Sequence, residues 1–254
     1  MPQPYYPMSS AVVADGKVYT TTAKSYEQQP LFRGHLLLCY DANTGAELWN
    51  ISGEIPISAI AQGYLVGVNA YDGCVYAFGR GQTATTASAT LWGGQNIVIS
   101  GTVTDQTPTS QAMGTPAISD AWMTPWMEYL YMDQPLPHDA TGVPVSIDAV
   151  DPNGNFIHIG NATSDITGAY SYQWTPPDIP GKYTIIATFS ADNSYYGSSG
   201  ETAAVVGSPT TTVSPTPTPT SVADMYFVPA IAGLAVLIIV GLIVLALLML
   251  RKRP

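Results

Sequence analysis

The chain has 254 residues and a formal net charge of −10; only 10% of its residues are charged, and it contains 23 glycines, 21 prolines and 16 tyrosines. This composition favours a turn-rich all-β protein of the exported type over a helical protein. Because an acidic surface repels phosphate groups, we expect no nucleic-acid partner.

The first third of the chain contains a repeat. Its first copy covers Ala14–Thr20 and Gly34–Trp49, and its second copy covers Ala61–Gly67 and Asp72–Gly79. Each copy predicts a glycine turn, a short alternating strand, a second turn and a second strand. A spacing of about 40 residues between copies is typical of a four-stranded propeller blade.

The same segments resemble a known repeat. Cys39–Trp49 (CYDANTGAELW) resembles the pyrroloquinoline-quinone-like, or quinoprotein-type, β-propeller repeat, and Asp72–Gly79 resembles its first half. The resemblance implies that residues 1–81 are the end of such a propeller, with fewer than two blades. We expect the chain to be a C-terminal fragment, with further blades upstream of Met1 or on a partner chain.

Quinone-dependent dehydrogenases share this repeat, so the resemblance raises the alternative of an exported oxidoreductase. Those enzymes use an adjacent cysteine pair and a calcium-bound aspartate, and neither has a counterpart here. We therefore expect no enzymatic activity and no quinone or calcium cofactor.

Cys39 and Cys74 are the only cysteines, and two cysteines in an exported chain invite a disulfide. Aligning the two repeat copies places Cys74 three residues before Ala77, the equivalent of Cys39. An odd spacing puts the two thiols on opposite faces of equivalent strands, which disfavours their pairing. The alternative is two small buried apolar residues.

A linker and a second domain follow. Residues 82–92 are small, polar and uncharged, which predicts a linker. Residues 93–207 contain period-two strands separated by Asp-Pro-Asn-Gly, Asp-Ile-Thr-Gly and Pro-Gly turns, which predict an antiparallel β-sandwich. The strands are expected over residues 96–104, 142–150, 168–175, 181–190 and about 201–206. Three of them have an apolar face, formed by Val143, Val145, Ile147 and Ala149, by Tyr170, Tyr172 and Trp174, and by Tyr183, Ile185, Ala187 and Phe189.

Three segments of this domain, Asp165–Trp174, Pro180–Phe189 and Ser194–Ser199, resemble immunoglobulin-like bacterial surface domains. An insertion interrupts the pattern over residues 114–137. Within it Ser119 and Asp120 predict a helix start, and apolar residues follow at helical spacing, so we expect a short helix near 119–132. Its residues Trp122, Trp126, Tyr129 and Leu130 are predicted to pack against the sandwich, the alternative being a carbohydrate-binding aromatic platform.

The sequence offers no catalytic site. Its histidines, His35, His138 and His158, are scattered without metal-ligand spacing. The strongest metal candidate is a set of side-chain oxygens around a glycine, which can approach a calcium ion. A hairpin turn explains the same residues without a metal, and we favour the turn. The set comprises Asp148, Asp151, Asn153 and Asn155.

The C-terminal part predicts a stalk and a membrane anchor. Residues 208–224 are Thr- and Pro-rich, which predicts an extended stalk suited to O-glycosylation. Residues 225–250 are predicted to form a transmembrane helix, because Tyr226 to Leu250 is an uncharged run of 25 residues, enough to cross a bilayer. A basic tail, residues 251–254, follows it. By the positive-inside rule, Arg251, Lys252 and Arg253 lie in the cytoplasm and everything before the helix lies outside.

The first 224 residues are therefore expected outside the cell. Asn50 and Asn161 begin N-glycosylation sequons in this region. Taken together, the segments resemble archaeal cell-surface proteins with quinoprotein-like repeats. We expect a single-pass cell-membrane protein, held in the lipid bilayer through residues 226–250, that serves binding, adhesion or envelope structure through a protein or glycan partner. An envelope assembly scaffold is a further alternative.

Overall fold

The computed structural model describes residues 11–22, 34–93, 96–207 and 222–251. Two compact units divide the chain, Met1–Pro209 and Thr210–Pro254, and antiparallel strands dominate the first. In chain order the elements are β1 (Val12–Ala14), β2 (Lys17–Thr21), β3 (Leu36–Asp41), β4 (Glu47–Ser52), β5 (Ile57–Ala61), β6 (Tyr64–Val68), β7 (Val75–Phe78), β8 (Thr83–Thr85), β9 (Ser88–Trp92), β10 (Asn96–Asp105), a 3₁₀ turn (Asp120–Trp122), α1 (Met123–Tyr131), β11 (Pro144–Val150), β12 (Phe156–Thr163), β13 (Ala169–Trp174), β14 (Gly181–Phe189), β15 (Ser198–Val206) and α2 (Val222–Arg251).

The two copies of the predicted repeat form antiparallel strands in the same order. β1 to β4 form a four-stranded sheet in sequential order, and β5 to β7 form a three-stranded one; we call them the first and second repeat sheets. Val18 pairs with Tyr40 in the first sheet, and their sequence equivalents Leu65 and Phe78 pair in the second. The three other pairs of β6 and β7 correspond to pairs of β2 and β3 in the same way. The repeat therefore specifies register as well as strand order.

Matching turns fix that register. Asp15 and Gly16 join β1 to β2 with φ of 50° and 66°, and Gln62 and Gly63 join β5 to β6 with φ of 53° and 82°. A two-residue loop with positive φ at both positions is the hairpin turn whose twist matches that of the flanking strands. No heavy atom lies within 4 Å of a Cβ built at either glycine. The glycines are therefore required by backbone conformation and not by close packing.

The second repeat sheet stops one strand short. After β7 the chain leaves the sheet, and the next strand, β8, pairs with β10 in the following domain. The described residues contain no closed propeller, only these two sheets of a repeat. Their shared core consists of few buried side chains. The buried members are Leu37, Ile51, Ile55 and Leu65, with Tyr19, Trp49, Ile57, Ile60, Tyr76, Phe78, Met127 and Met132 packed against them.

Two further sheets face each other across the larger core. One has the order β13-β10-β8, with β9 also pairing β10, and the other has the order β12-β11-β14-β15. The predicted alternation is confirmed, because Val143, Val145, Ile147, Tyr183 and Ile185 are all fully buried. The last strand is longer than expected, since it begins at Ser198.

The linker predicted for residues 82–92 is wrong. Both β8 and β9 pair antiparallel with β10, so this stretch is an interrupted edge strand of the sandwich. Small polar composition is shared by linkers and by Thr-rich edge strands, where the hydroxyls bond across the sheet. The hydroxyls of Thr83 and Thr85 lie 2.8 and 2.7 Å from Ser198 Oγ on β15. These contacts bring the edges of the two sheets together.

The second unit is described by itself. Its helix α2 runs for 30 residues with Pro229 inside it. Every side chain described between Tyr226 and Val244 is exposed. Among the residues whose side chains the structure describes, no helix has the length and apolarity that crossing a bilayer requires. The residues predicted to form the stalk up to Ser221, and Lys252 and Arg253, lie outside the described residues.

Candidate functional surfaces

Helix α1 is the part of the molecule where two cores meet. Trp126 is only 4% exposed and lies in a small cluster with Ile118 and Ala140. Met123, at the start of the helix, packs against the sandwich core. A buried indole cannot present its face to a sugar ring, so the structure favours the packing interpretation of Trp126 over the aromatic platform. Trp122 and Leu130 are half-buried against the same cluster.

The same helix also holds the first repeat sheet, which the sequence did not indicate. The Thr124 hydroxyl donates to the Asn50 carbonyl at 2.7 Å, and the Ser52 N–H donates to Glu128 Oε1 at 2.8 Å. Met127 and Met132 complete the core of the repeat sheets from this side. The helix therefore packs on strand β4 and on the sandwich at once.

The start of the helix differs from the prediction. Ser119 occupies the cap position without a side-chain capping bond, and its hydroxyl lies 3.1 Å from Thr141 Oγ1. The Asp120 carboxylate instead accepts from Asn193 Nδ2 at 2.9 Å and from Ser194 Oγ at 2.5 Å. The polar pair that marks the helix start thus ties it to the β14–β15 loop.

The two carboxylates among the calcium candidates have other partners, as the favoured hairpin turn predicts. Asp148 accepts from Ser146 Oγ at 3.1 Å and lies 2.7 Å from His158 Nδ1. Asp151 accepts the backbone N–H groups of Asn153 and Asn155, both at 2.8 Å, and the Asn155 side-chain amide at 2.9 Å.

These bonds define a hairpin turn. The Asn155 amide nitrogen points at the Asp151 carboxylate, so Asn155 is not oriented as an oxygen ligand. No group of three or more His, Cys, Asp or Glu side chains with metal-binding geometry occurs in the described part of the chain.

Three aspartates at turns, in the sandwich and in the first repeat sheet, have lowered pKa values. The side-chain bond from Asn155 lowers the pKa of Asp151, and backbone N–H groups add to the effect. The Thr167 hydroxyl similarly lowers the pKa of Asp165, and the Thr44 backbone N–H lowers the pKa of Asp41. A carboxylate that accepts several hydrogen bonds is stabilised in its charged form. These groups are structural acceptors and not poised acids.

The histidines and cysteines do not form a reactive set. His35 is fully buried, with Nδ1 3.1 Å from the Thr22 carbonyl, while His138 is exposed on a loop. Cys39 is buried, which raises the pKa of its thiol to about 11, and Cys74 is exposed. Both are free thiols. The alternative of two small buried residues therefore fits Cys39 and is wrong for Cys74.

A shallow groove of about 650 Å³ is lined by residues of β10, β13 and the C-terminal end of β12. Hydroxyl-bearing side chains and one carboxylate line it, together with Gly101 and Ala169. Such a surface can hydrogen-bond a polar ligand but holds no general acid–base pair. The lining residues include Ser100, Thr102, Thr163, Asp165, Tyr170 and Ser171.

The two sequons lie on different edges. Asn50 is half-buried on β4, and Asn161 is exposed on β12. Among the topology residues, Arg251 ends helix α2. No family model, curated protein or solved structure matches this chain.

Proposed function

We propose that this chain is a membrane-anchored extracellular protein that presents the end of a propeller-like repeat and an immunoglobulin-like sandwich for binding, adhesion or envelope structure. The observation that carries the proposal is the uncharged run from Tyr226 to Leu250. It follows a Thr- and Pro-rich segment, and Arg251 comes directly after it. The elements before it supply recognition surfaces and no catalytic centre is needed for that role.

The immunoglobulin-like assignment rests on strand order. With the strands lettered in sequence, β9, β10 and β13 correspond to A, B and E, and β12, β11, β14 and β15 correspond to C′, C, F and G. The C, F and G strands share one sheet in immunoglobulin-like sandwiches, and C′ joins them in the variable type.

A hydrogen bond at the E–F corner adds to this support. The Tyr183 hydroxyl, near the start of β14, donates to the Ile179 carbonyl four residues upstream at 3.0 Å. A tyrosine at this corner that bonds back to upstream backbone is a hallmark of the immunoglobulin fold. Trp174 on β13 packs edge-on against the Tyr183 ring, with centroids 5.4 Å apart.

The propeller assignment rests on the repeat sheets. A blade is a four-stranded antiparallel sheet, and the first repeat sheet has that form. Rings from both sheets stack at their junction, since the Trp49 and Phe78 centroids lie 6.0 Å apart. Two consecutive sheets that share an aromatic core are the arrangement expected of adjacent blades.

The anchor assignment rests on where the apolar side chains of α2 can be buried. Leu237, Val240 and their neighbours are exposed in the chain alone, and leaving each large aliphatic side chain in water costs roughly 1.5–3 kcal/mol relative to burial. A bilayer removes that cost for all faces of the helix at once. The basic residues after it set the orientation with the sheets outside.

Membrane fractionation tests the anchor. We expect the full chain to stay with membranes through a high-salt and carbonate wash, and the double substitution Leu237→Arg and Val240→Arg to release it, since each central charge costs roughly 2.5–3.5 kcal/mol on insertion scales. The matched control, Leu237→Ala with Val240→Ala, should remain bound. Retention of the arginine variant after the wash would contradict the anchor.

A further inference from the structure

The two glycosylation sequons occupy different structural settings. Asn50 lies on β4, where its side-chain amide donates to Glu47 Oε1 at 2.6 Å. Its carbonyl accepts the Thr124 hydroxyl, so helix α1 covers the strand on the side away from β3. An enzyme that attaches an oligosaccharide must reach the amide nitrogen, and here that nitrogen already donates to Glu47, on a residue that is half-buried beside helix α1.

Asn161 is the opposite case. It lies on β12, which pairs only with β11 among the described strands, so it is on an open edge of the four-stranded sheet. Both Asn161 and the sequon residue Thr163 are exposed, and a spacing of two places them on one face of the strand.

We propose that Asn161 carries an N-linked glycan and that Asn50 does not. The inference rests on the proposed function, because the sequon must be outside the cell to meet the enzyme. In the step itself Asn161 Nδ2 attacks the anomeric carbon of a lipid-linked oligosaccharide phosphate donor. The N–C bond forms, the anomeric C–O bond breaks, the amide proton passes to a base, and the lipid phosphate leaves with the electron pair.

The position of Asn161 gives the glycan a physical role. An open sheet edge is a template for pairing with another chain, and proteins cover it with charges, prolines, bulges or other groups. β12 contains no lysine and no proline. A bulge at Ile159 protects its middle, where the Ile159 carbonyl accepts from the Tyr172 hydroxyl at 3.2 Å. The C-terminal part of the edge lies beside β13, where Thr163 lines the shallow groove, and a glycan on Asn161, on the same face as Thr163, covers that part.

The test is to express the full chain in a host that attaches N-glycans and to treat it with peptide N-glycosidase. We expect the enzyme to remove one glycan from the unsubstituted chain. The shift should disappear in two independent variants, Asn161→Gln and Thr163→Ala. It should persist in the matched controls Asn50→Gln and Ser52→Ala, and near-ultraviolet circular dichroism should show that all four variants fold.

The outcomes separate this inference from the proposed function. A shift that survives Asn161→Gln and is lost in Asn50→Gln overturns the inference. So does the absence of any glycan on a chain whose sheets are reached by protease outside the cell, and in that case the proposed function stands. Sheets protected inside the cell overturn both. If enzymatic removal of the glycan leaves the sedimentation of the protein unchanged at high concentration, the edge-covering role is wrong.

Discussion

The repeat sheets and the sandwich are both antiparallel, but they are stabilised in different ways. In the described residues the sandwich has a core of 17 buried apolar side chains, drawn mainly from both of its sheets. The repeat sheets have four, and Met127 of α1 with Met132 just after it, both in the sandwich insertion, complete their packing. The sandwich therefore packs around its own core, whereas the repeat sheets depend on a helix inserted in their neighbour.

The largest expected effect comes from Trp126 on that helix. Trp126→Ala should lower the free energy of unfolding by about 3–5 kcal/mol, the usual cost of truncating a buried tryptophan. Hydrogen exchange should rise in the repeat sheets as well as around α1. Trp126→Phe is the control, because the indole N–H has no partner and its loss removes a desolvation cost. If Trp126→Ala left exchange in residues 36–78 unchanged, the dependence would be wrong.

Matched truncations in the two cores should have different reach. Ile147 and Leu37 are both fully buried, and replacing either by alanine should cost roughly 2–5 kcal/mol. Exchange measured by mass spectrometry should increase in both regions for Ile147→Ala but only in the repeat sheets for Leu37→Ala. The reverse pattern, with Leu37→Ala loosening the sandwich, would mean that support runs in the other direction.

Single hydrogen bonds should give smaller, local effects. Thr124→Val removes the bond to the Asn50 carbonyl and should cost about 0.5–1.5 kcal/mol, detected as faster exchange in β4. Tyr183→Phe removes the corner bond to Ile179 at a similar cost, detected as a lower urea midpoint for the sandwich. Faster exchange in the sandwich core for Thr124→Val would argue against two separable units of stability.

The smallest effect is the pH dependence. The pKa of Asp165 is lowered from 3.8 by its turn bonds, chiefly that from Thr167. A group with a depressed folded pKa contributes stability that is present above its unfolded pKa and lost as the pH falls through its folded pKa. Stability should therefore decline below about pH 4. Asp165→Asn should flatten that decline in the sandwich, and Asp41→Asn in the repeat sheets. If the urea midpoint fell by the same amount between pH 7 and pH 3 in the variants as in the unsubstituted chain, this role would be contradicted.

The sequence predicted the features that local patterns control. The alternation of Tyr183, Ile185 and Phe189 identified the buried face of β14, since period two is set by strand geometry. The equivalence of Gly16 and Gly63 identified the repeat, because both turns need positive φ.

Features that depend on tertiary neighbours were missed. The composition of the Thr-rich stretch around Thr85 predicts a linker, because its strand partner, Val103, lies 18 residues away. The contribution of Met127 and Met132 to the repeat sheets had no signal in the chain, since both fit an ordinary amphipathic helix. Asp151 resembled a metal ligand because turns and calcium loops use the same residue types.

The most direct test of the proposed function is the accessibility of the sheets in intact cells. A site-specific protease sequence inserted after Gly207 separates the sheets from α2 without altering either. Protease added outside intact cells should release a soluble fragment that ends at the inserted site and retains the circular dichroism of a β protein, and leave α2 in the membrane. If cleavage occurs only after the cells are broken, the sheets lie inside and the orientation is wrong.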